Sequence, residues 1–348
     1  MTITEKIPVG ILGATGSVGQ KFIELLTDHP WFDITEVAAS EKSAGQKYGQ
    51  RVKWFSSKPL PQKIAQLTLK PCEPNLNCQL VFSGLDSSVA GEIETDFATN
   101  GYIVVSNSRN HRMDRDVPLL VPEINPDHLE LIKTQKYKNG CIVTNPNCST
   151  IGLVIALKPL LDNFGLESVN VVTLQALSGG GYPGVPSLDI IENVIPYISG
   201  EEAKMESEPK KIFGTLSQGE IQMSNIQISA QCNRVPVIDG HLECIQVKLK
   251  NSASSEEIKA AWQNFSGEPQ RLELPMAPLK PIYYFEEENY PQPRLHRSLD
   301  KGMAVSVGRL RKDSLFDYKF IALSHNTIRG AAGGAILCAE LMKARGYF

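Results

Sequence analysis

The sequence predicts an α/β protein in two parts. A domain built on a parallel sheet comes first, and an α+β domain with a mixed or antiparallel sheet follows. Three observations carry this reading. Up to about residue 148, apolar runs of strand length alternate with helical patterns, and each run ends in a polar or glycine-bearing loop. Beyond residue 149 the strand-like segments alternate apolar and polar, as half-buried antiparallel strands do. At 348 residues the chain has room for two domains.

The elements follow in order. Pro8 to Ala14 reads as a strand and runs into Gly13, Gly16 and Gly19. Val18, Phe22, Leu25 and Leu26 then fall on one face of a helix that stops at Asp28-His29-Pro30. A second strand covers Ile34 to Ala39. Three further apolar runs end in Ser83-Gly84, in Ser106-Asn107, and in Asn145-Pro146-Asn147-Cys148. Thr150 to Leu161 is an apolar helix, and Val169 to Leu174 and Leu242 to Leu249 are alternating strands. A glycine-rich turn spans Ser178 to Gly184, and a charged helical stretch runs from Leu188 to Ile212. Pro275 to Arg297 reads as an extended surface arm, and Arg329 to Phe348 as helical. The expected division is residues 1–148 with 326–348, the terminal helix packing back, against 149–325.

Composition narrows the function classes. With 35 basic against 38 acidic residues and a net charge of −3, the chain lacks the basic excess of a nucleic-acid binder. No run of 18 apolar residues suggests a membrane span, and Met1 to Gly10 has no secretory pattern. Seven cysteines without CxxC spacing suit reduced thiols, no metal site and a cytoplasmic location.

Gly13-Ala14-Thr15-Gly16-Ser17-Val18-Gly19 lies between a strand and an amphipathic helix. That context reads as a dinucleotide site, with the pyrophosphate on free N–H groups at the helix start. The second strand ends in Ser40-Glu41-Lys42-Ser43. Hydroxyls and a cation there, in place of a lone carboxylate, favour NADP over NAD. Cys148 sits where a strand passes into a helix, and the helix N-terminus is expected to lower its pKa and make it a nucleophile. His241, seven residues after Arg234 and following an Asp239-Gly240 turn, is the candidate proton-transfer partner. His29 reads as a helix C-terminal cap, and His325 stays open between a cofactor-side role and packing.

Beyond these readings, the motifs GATGSVG (13–19), SNSRNHR (106–112), NPNCST (145–150), LQALSGGGYPGVPS (174–187), GEEAK (200–204), CNRVPVIDGH (232–241) and HNTIRGAAGG (325–334) follow one another in a known order. The chain resembles the aspartate-β-semialdehyde dehydrogenase family, in its archaeal and fungal branch, over nearly its whole length. The resemblance implies a Rossmann-like NADP-binding domain and a catalytic, dimerising domain in a homodimer or homotetramer. It also implies reductive dephosphorylation of aspartyl phosphate through a cysteine thioester, in the synthesis of aspartate-family amino acids. Cys148 would be the nucleophile, His241 the acid/base, and Gln175 the group orienting the acyl intermediate. Arg234 would hold the substrate carboxylate and Glu201 its amino group, with Asn147 beside them and Arg112 and Lys204 on the phosphate. Gly13, Thr15, Gly16, Ser17, Val18, Ser83, Gly84, Ser178 and Gly179 would contact the cofactor. Ser40, Lys42 and Ser43 would lie near its 2′-phosphate, and Asn326 near its nicotinamide. Lys42 stands where many members carry Arg. Two rival readings are a related acyl reductase, such as a malonyl-CoA reductase, and an inactive NADP-binding scaffold.

Overall fold

The computed structural model describes residues 5–56 and 58–348. The start of the Met1 to Gly10 reading therefore lies outside the described residues. Strands β1 (Ile7–Leu12), β2 (Phe32–Ala39), β3 (Lys70–Pro71), β4 (Leu80–Ser83), β5 (Ile103–Ser106) and β6 (Cys141–Thr144) form one sheet. Its order is β3-β2-β1-β4-β5-β6, with every pairing parallel. Both faces are covered, so the strands are short apolar runs; β4, β5 and β6 are buried throughout. The order reverses between β1 and β4, and a crevice opens outside the strand C-termini at such a switch point. Helix α1 (Ser17–Leu26) follows β1 there and buries Phe22, Ile23 and Leu26. Helix α2 (Ser87–Thr99), capped by Asp86, follows β4.

Helix α3 (Cys148–Phe164) begins four residues after β6 and leads into the second sheet. That sheet contains β7 (Leu166–Gln175), β10 (Gln227–Arg234), β11 (His241–Leu249), β12 (Ile282–Phe285), β13 (Val305–Lys312) and β14 (Tyr318–Ser324), in the order β10-β7-β11-β14-β13-β12. A separate hairpin, β8 (Thr215–Ser217) with β9 (Glu220–Gln222), lies between β7 and β10 in the chain. The β10–β7 and β12–β13 pairs are parallel and the other three antiparallel, so the sheet is mixed. One face carries Val169, Val171, Ile245, Val247 and Phe320, packed with α3, α4 (Glu201–Ile212) and α5 (Ser255–Asn264). The other face holds Val172, Leu174, Leu242, Cys244 and Ile321, each half-buried. Helix α6 (Gly333–Ala344) returns to the first sheet's core through Ile336, Leu337, Leu341 and Met342.

Three expectations change. The charged stretch from Leu188 to Ile212 is not one helix: a short turn over Ser187–Ile190 ends where Ile191 goes extended, and α4 starts only at Glu201. Pro196 disfavours helix in the residue before it, and Gly200, at φ 69°, sets the new start. The arm from Pro275 to Arg297 supplies the edge strand β12 rather than remaining wholly extended over the surface. His29 is not a helix cap. Its Nε2 lies 2.6 Å from Glu340 of α6, and its Nδ1 accepts from the N–H groups of Trp31 and Phe32. Among the described residues, no helix is long and apolar enough to cross a membrane.

Candidate active site

The glycine turn is locked from both sides. Gly13 takes φ 73°, and a Cβ there would sit 2.8 Å from the carbonyl of Gly84. A Cβ at Gly19 would stand 2.3 Å from the carbonyl of Gly13, so only glycine lets α1 start this close to β1. The buried Tyr48 hydroxyl donates to the Ala14 carbonyl at 2.8 Å and pins the turn. Helix α1 has no side-chain cap, which leaves its first N–H groups free for an anion. Ser17 and Val18 line the cleft that opens from this point, about 330 Å³ in volume.

Cys148 opens α3 on the far wall of the cleft. Asn147 caps the helix, its Oδ1 accepting from the N–H groups of Ser149 and Thr150 at 3.0 and 3.3 Å. The Cys148 sulfur lies 3.2 Å from His241 Nε2. The Ala176 N–H donates to His241 Nδ1 at 3.0 Å. A backbone N–H can only donate, so the neutral ring carries its proton on Nε2, facing the sulfur. The Ala176 carbonyl accepts from Arg234 Nη1 at 2.6 Å, so the backbone of one residue orients both side chains. A Cβ at Gly179 would meet Arg234 at 2.9 Å and His241 at 3.1 Å, and this close approach needs glycine.

The electrostatics overturn one expectation. Burial pushes the Cys148 thiol up to about 12, with Glu201 adding to the rise. Arg112, Arg234 and Lys204 pull it down without reversing the sign. Burial, with Arg234 and His325 nearby, pushes His241 down to about 3. The resting pair is therefore a neutral thiol beside a neutral imidazole, since desolvation disfavours the charged form of each. Alkylation of Cys148 by iodoacetamide, followed by mass spectrometry, should quicken about tenfold per pH unit from pH 7 to beyond pH 9. A plateau below pH 8 would contradict the raised thiol.

The charged groups converge on the same cleft. Glu201 accepts from Asn147 Nδ2 at 3.1 and 2.9 Å, from Lys204 at 2.5 Å and from Gln175 at 3.4 Å. Burial alone would raise its carboxyl, but Lys204, Asn147 and Gln175 together hold it below its usual value, so it is ionised. Arg112 is 6% exposed yet lines the cleft, and among the described residues its Nε has no partner. Asn326 Nδ2 donates to the Ser178 hydroxyl at 2.8 Å and its Oδ1 accepts from the Gly240 N–H at 2.8 Å; both Asn326 and Ser178 line the cleft.

Other expected positions stand apart. Ser40 and Lys42 are exposed at the end of β2, whereas Ser43 is turned inward and 3% exposed. Ser83 is fully buried and commits its hydroxyl to Glu94 at 2.5 Å, so the wall after β4 is made by Leu85, Asp86 and Ser87. Two groups escaped the sequence reading. Glu208 and Lys211 of α4 are both buried and both reach the loop that carries Arg112. The signal was the spacing Glu201, Lys204, Glu208, Lys211, which places all four on one helix face.

The family profile described as "Semialdehyde dehydrogenase, NAD binding domain" matches residues 8–132, and "Semialdehyde dehydrogenase, dimerisation domain" matches 157–329. The aspartate-semialdehyde dehydrogenase of Archaeoglobus fulgidus is 51% identical over 96% of this chain and 97% of its own length. That of Schizosaccharomyces pombe is 49% identical over 97% of this chain and 98% of its own. This chain belongs to the aspartate-semialdehyde dehydrogenase family. The solved structure of the Candida albicans family member with NADP superposes with a TM-score of 0.92 at 44% identity, covering 99% of this chain and 100% of that one. The fold expectation, a Rossmann-like part followed by a mixed-sheet part, is that of the family. These relatives lend no support to the malonyl-CoA reductase or the inactive-scaffold reading.

Proposed function

We propose that the protein reduces L-aspartyl-4-phosphate to L-aspartate 4-semialdehyde with NADPH, releasing phosphate, as a step toward aspartate-derived amino acids. The observation that carries this is the Cys148–His241 contact of 3.2 Å at a cleft lined by Arg112 and Lys204, with Arg234 close enough to act on the sulfur. Three cations suit a substrate bearing a carboxylate and a phosphate, and the ionised Glu201 suits its ammonium. In this reading Arg234 holds the α-carboxylate, Glu201 the amino group, Arg112 and Lys204 the phosphate, and Asn147 and Gln175 the acyl group.

The uncapped start of α1 and the glycine cradle fit a dinucleotide pyrophosphate. Gly13, Thr15, Gly16, Ser17 and Val18 hold that group. The backbone of Ser83 and Gly84 supports the turn, and Ser178, Gly179 and Asn326 face the nicotinamide. Ser40 and Lys42, with Ser43 behind them, receive the 2′-phosphate. When bound, NADPH supplies hydride to the acyl carbon. Residues 1–148 with 326–348 serve as the cofactor domain, and 149–325 as the catalytic and dimerising one.

Cys148 attacks the acyl carbon, and its thiol proton departs with the phosphate as the thioester forms. His241 holds its Nε2–H in a hydrogen bond to the carbonyl oxygen as that oxygen gains charge, first on attack and again on reduction, and one proton taken up from water restores the thiol at the end of the cycle. Collapse of the thiohemiacetal releases the aldehyde and returns the sulfur. Holding acyl group, phosphate and sulfur together replaces encounters between separate molecules with one positioned step.

The test runs the reaction backwards: aspartate semialdehyde, phosphate and NADP+ should yield NADPH. Absence of NADPH formation, or faster turnover with malonyl-CoA and NADPH, would overturn the reading. Arg234→Leu should raise KM for aspartate semialdehyde about a hundredfold and leave KM for NADP+ within about twofold. An unchanged KM would reassign that arginine. The half-buried face of the second sheet, with Val172, Leu174 and Cys244, is the surface we assign to a second copy in a homodimer or homotetramer. Light scattering on the eluted protein checks this, and a monomer would refute it.

A further inference from the structure

Glu208 is a buried carboxylate that the reaction above does not use. It lies on α4 and is 2% exposed. Its Oε1 accepts from Arg112 Nη1 at 2.9 Å, and its Oε2 accepts from the backbone N–H of Asn147 at 2.7 Å. The first partner is a cation at the cleft; the second is the residue that caps α3 and immediately precedes Cys148. One carboxylate thus ties the arginine and the base of the nucleophile together.

The same arginine is fixed at a second point, where Nη2 donates to the Asn107 carbonyl at 2.9 Å. Among the described residues its buried Nε has no partner. A buried guanidinium N–H without a partner is costly unless a ligand completes it. The loop behind is fixed as well. Lys211, one turn further along α4, donates to the carbonyls of Arg112, Asp114 and Val117 at 2.8, 2.6 and 2.8 Å.

We propose that Glu208 is a positioning residue that sets where the phosphate is held relative to the Cys148 sulfur, acting through Arg112 on one side and Asn147 on the other. This rests on the reading of Arg112 as a phosphate ligand. Charge alone argues against placing a carboxylate here, because it repels the phosphate and offsets part of the arginine's attraction. What Glu208 contributes is orientation: it holds Nη1 and, with the Asn107 carbonyl on Nη2, fixes where the guanidinium stands at the cleft. Since the other oxygen holds the start of α3, anion and sulfur are referred to a common anchor.

The opposed signs give the test. Glu208→Gln keeps an acceptor for the Asn147 N–H but removes the charged partner of Arg112. If Glu208 acted only by charge, its removal would lower KM for phosphate. If it positions Arg112, KM for phosphate rises. In full-length enzyme, assayed from aspartate semialdehyde with phosphate varied, Glu208→Gln should raise KM for phosphate about tenfold, with kcat and KM for NADP+ within about threefold of the parent. Arg112→Leu should raise KM for phosphate about a hundredfold, and adding Glu208→Gln to it should change KM no further, because Glu208 acts through Arg112.

A lowered or unchanged KM for phosphate in Glu208→Gln, or additive effects in the double variant, would overturn the proposal while leaving Arg112 as a phosphate ligand. An unchanged KM for phosphate in Arg112→Leu would overturn both that reading and the proposal built on it. If Glu208→Gln does not accumulate as folded protein, Glu208→Asp keeps the charge and withdraws it by one methylene. A raised KM for phosphate with intact NADP+ affinity then supports the proposal, and an unchanged one overturns it.

Discussion

Cys148→Ser should reduce turnover by at least about a thousandfold while NADPH binding stays within about twofold of the parent. The substitution nearly preserves volume, and this matters because the site is tight: a Cβ on Gly330 would come within 2.8 Å of the Cys148 Cβ. It also preserves Asn147 as the cap of α3, so the wall of the cleft keeps its shape. What changes is the nucleophile. A serine hydroxyl is far harder to deprotonate than a thiol, and His241, pushed down to about 3, is too weak a base to make up the difference. A fluorescence titration with NADPH beside a turnover assay separates binding from chemistry. Activity above a tenth of the parent's would sink the thioester route.

Arg329→Met should destabilise the protein by about 3–5 kcal/mol, read from denaturant unfolding. Arg329 and Glu123 form a bidentate pair at 2.8 and 2.6 Å, with both side chains fully buried. Removing the arginine leaves a carboxylate in the interior with neither partner nor water. Adding Glu123→Leu to Arg329→Met should recover most of the loss, since both charges are then gone. By contrast, Arg345→Ala breaks a pair whose side chains are 28% and 17% exposed and should cost under about 1 kcal/mol. A loss below 1 kcal/mol for Arg329→Met would show that water or another group takes the arginine's place.

Much of the first sheet was legible because its signals are local. A short apolar strand, three glycines and an amphipathic helix follow one another in a single stretch, and no tertiary context is needed to see them. Cys148 stood out for the same reason, at a strand-to-helix junction. Signals that depend on what packs around a residue were not legible. The thiol was expected to be lowered by the helix start, but burial raises it, and Glu201, far along the chain, adds to the rise. Glu208 and Lys211 sit in a charged run that reads as a solvated helix; only the return of α4 onto the Arg112 loop makes that face internal. His29 was assigned by its neighbour Pro30, while its true partner Glu340 lies at the other end of the chain.

The protonated resting state of Cys148 has a consequence for survival under oxidants. Peroxides attack thiolates, and burial keeps this thiol protonated at neutral pH. Sulfenic acid formation at the nucleophile is slowed in the same sense. Burial raises Cys141 and Cys338 in the same direction, so these thiols give no easier point of entry. The nucleophile is thereby a poorer target for peroxide than an exposed thiolate.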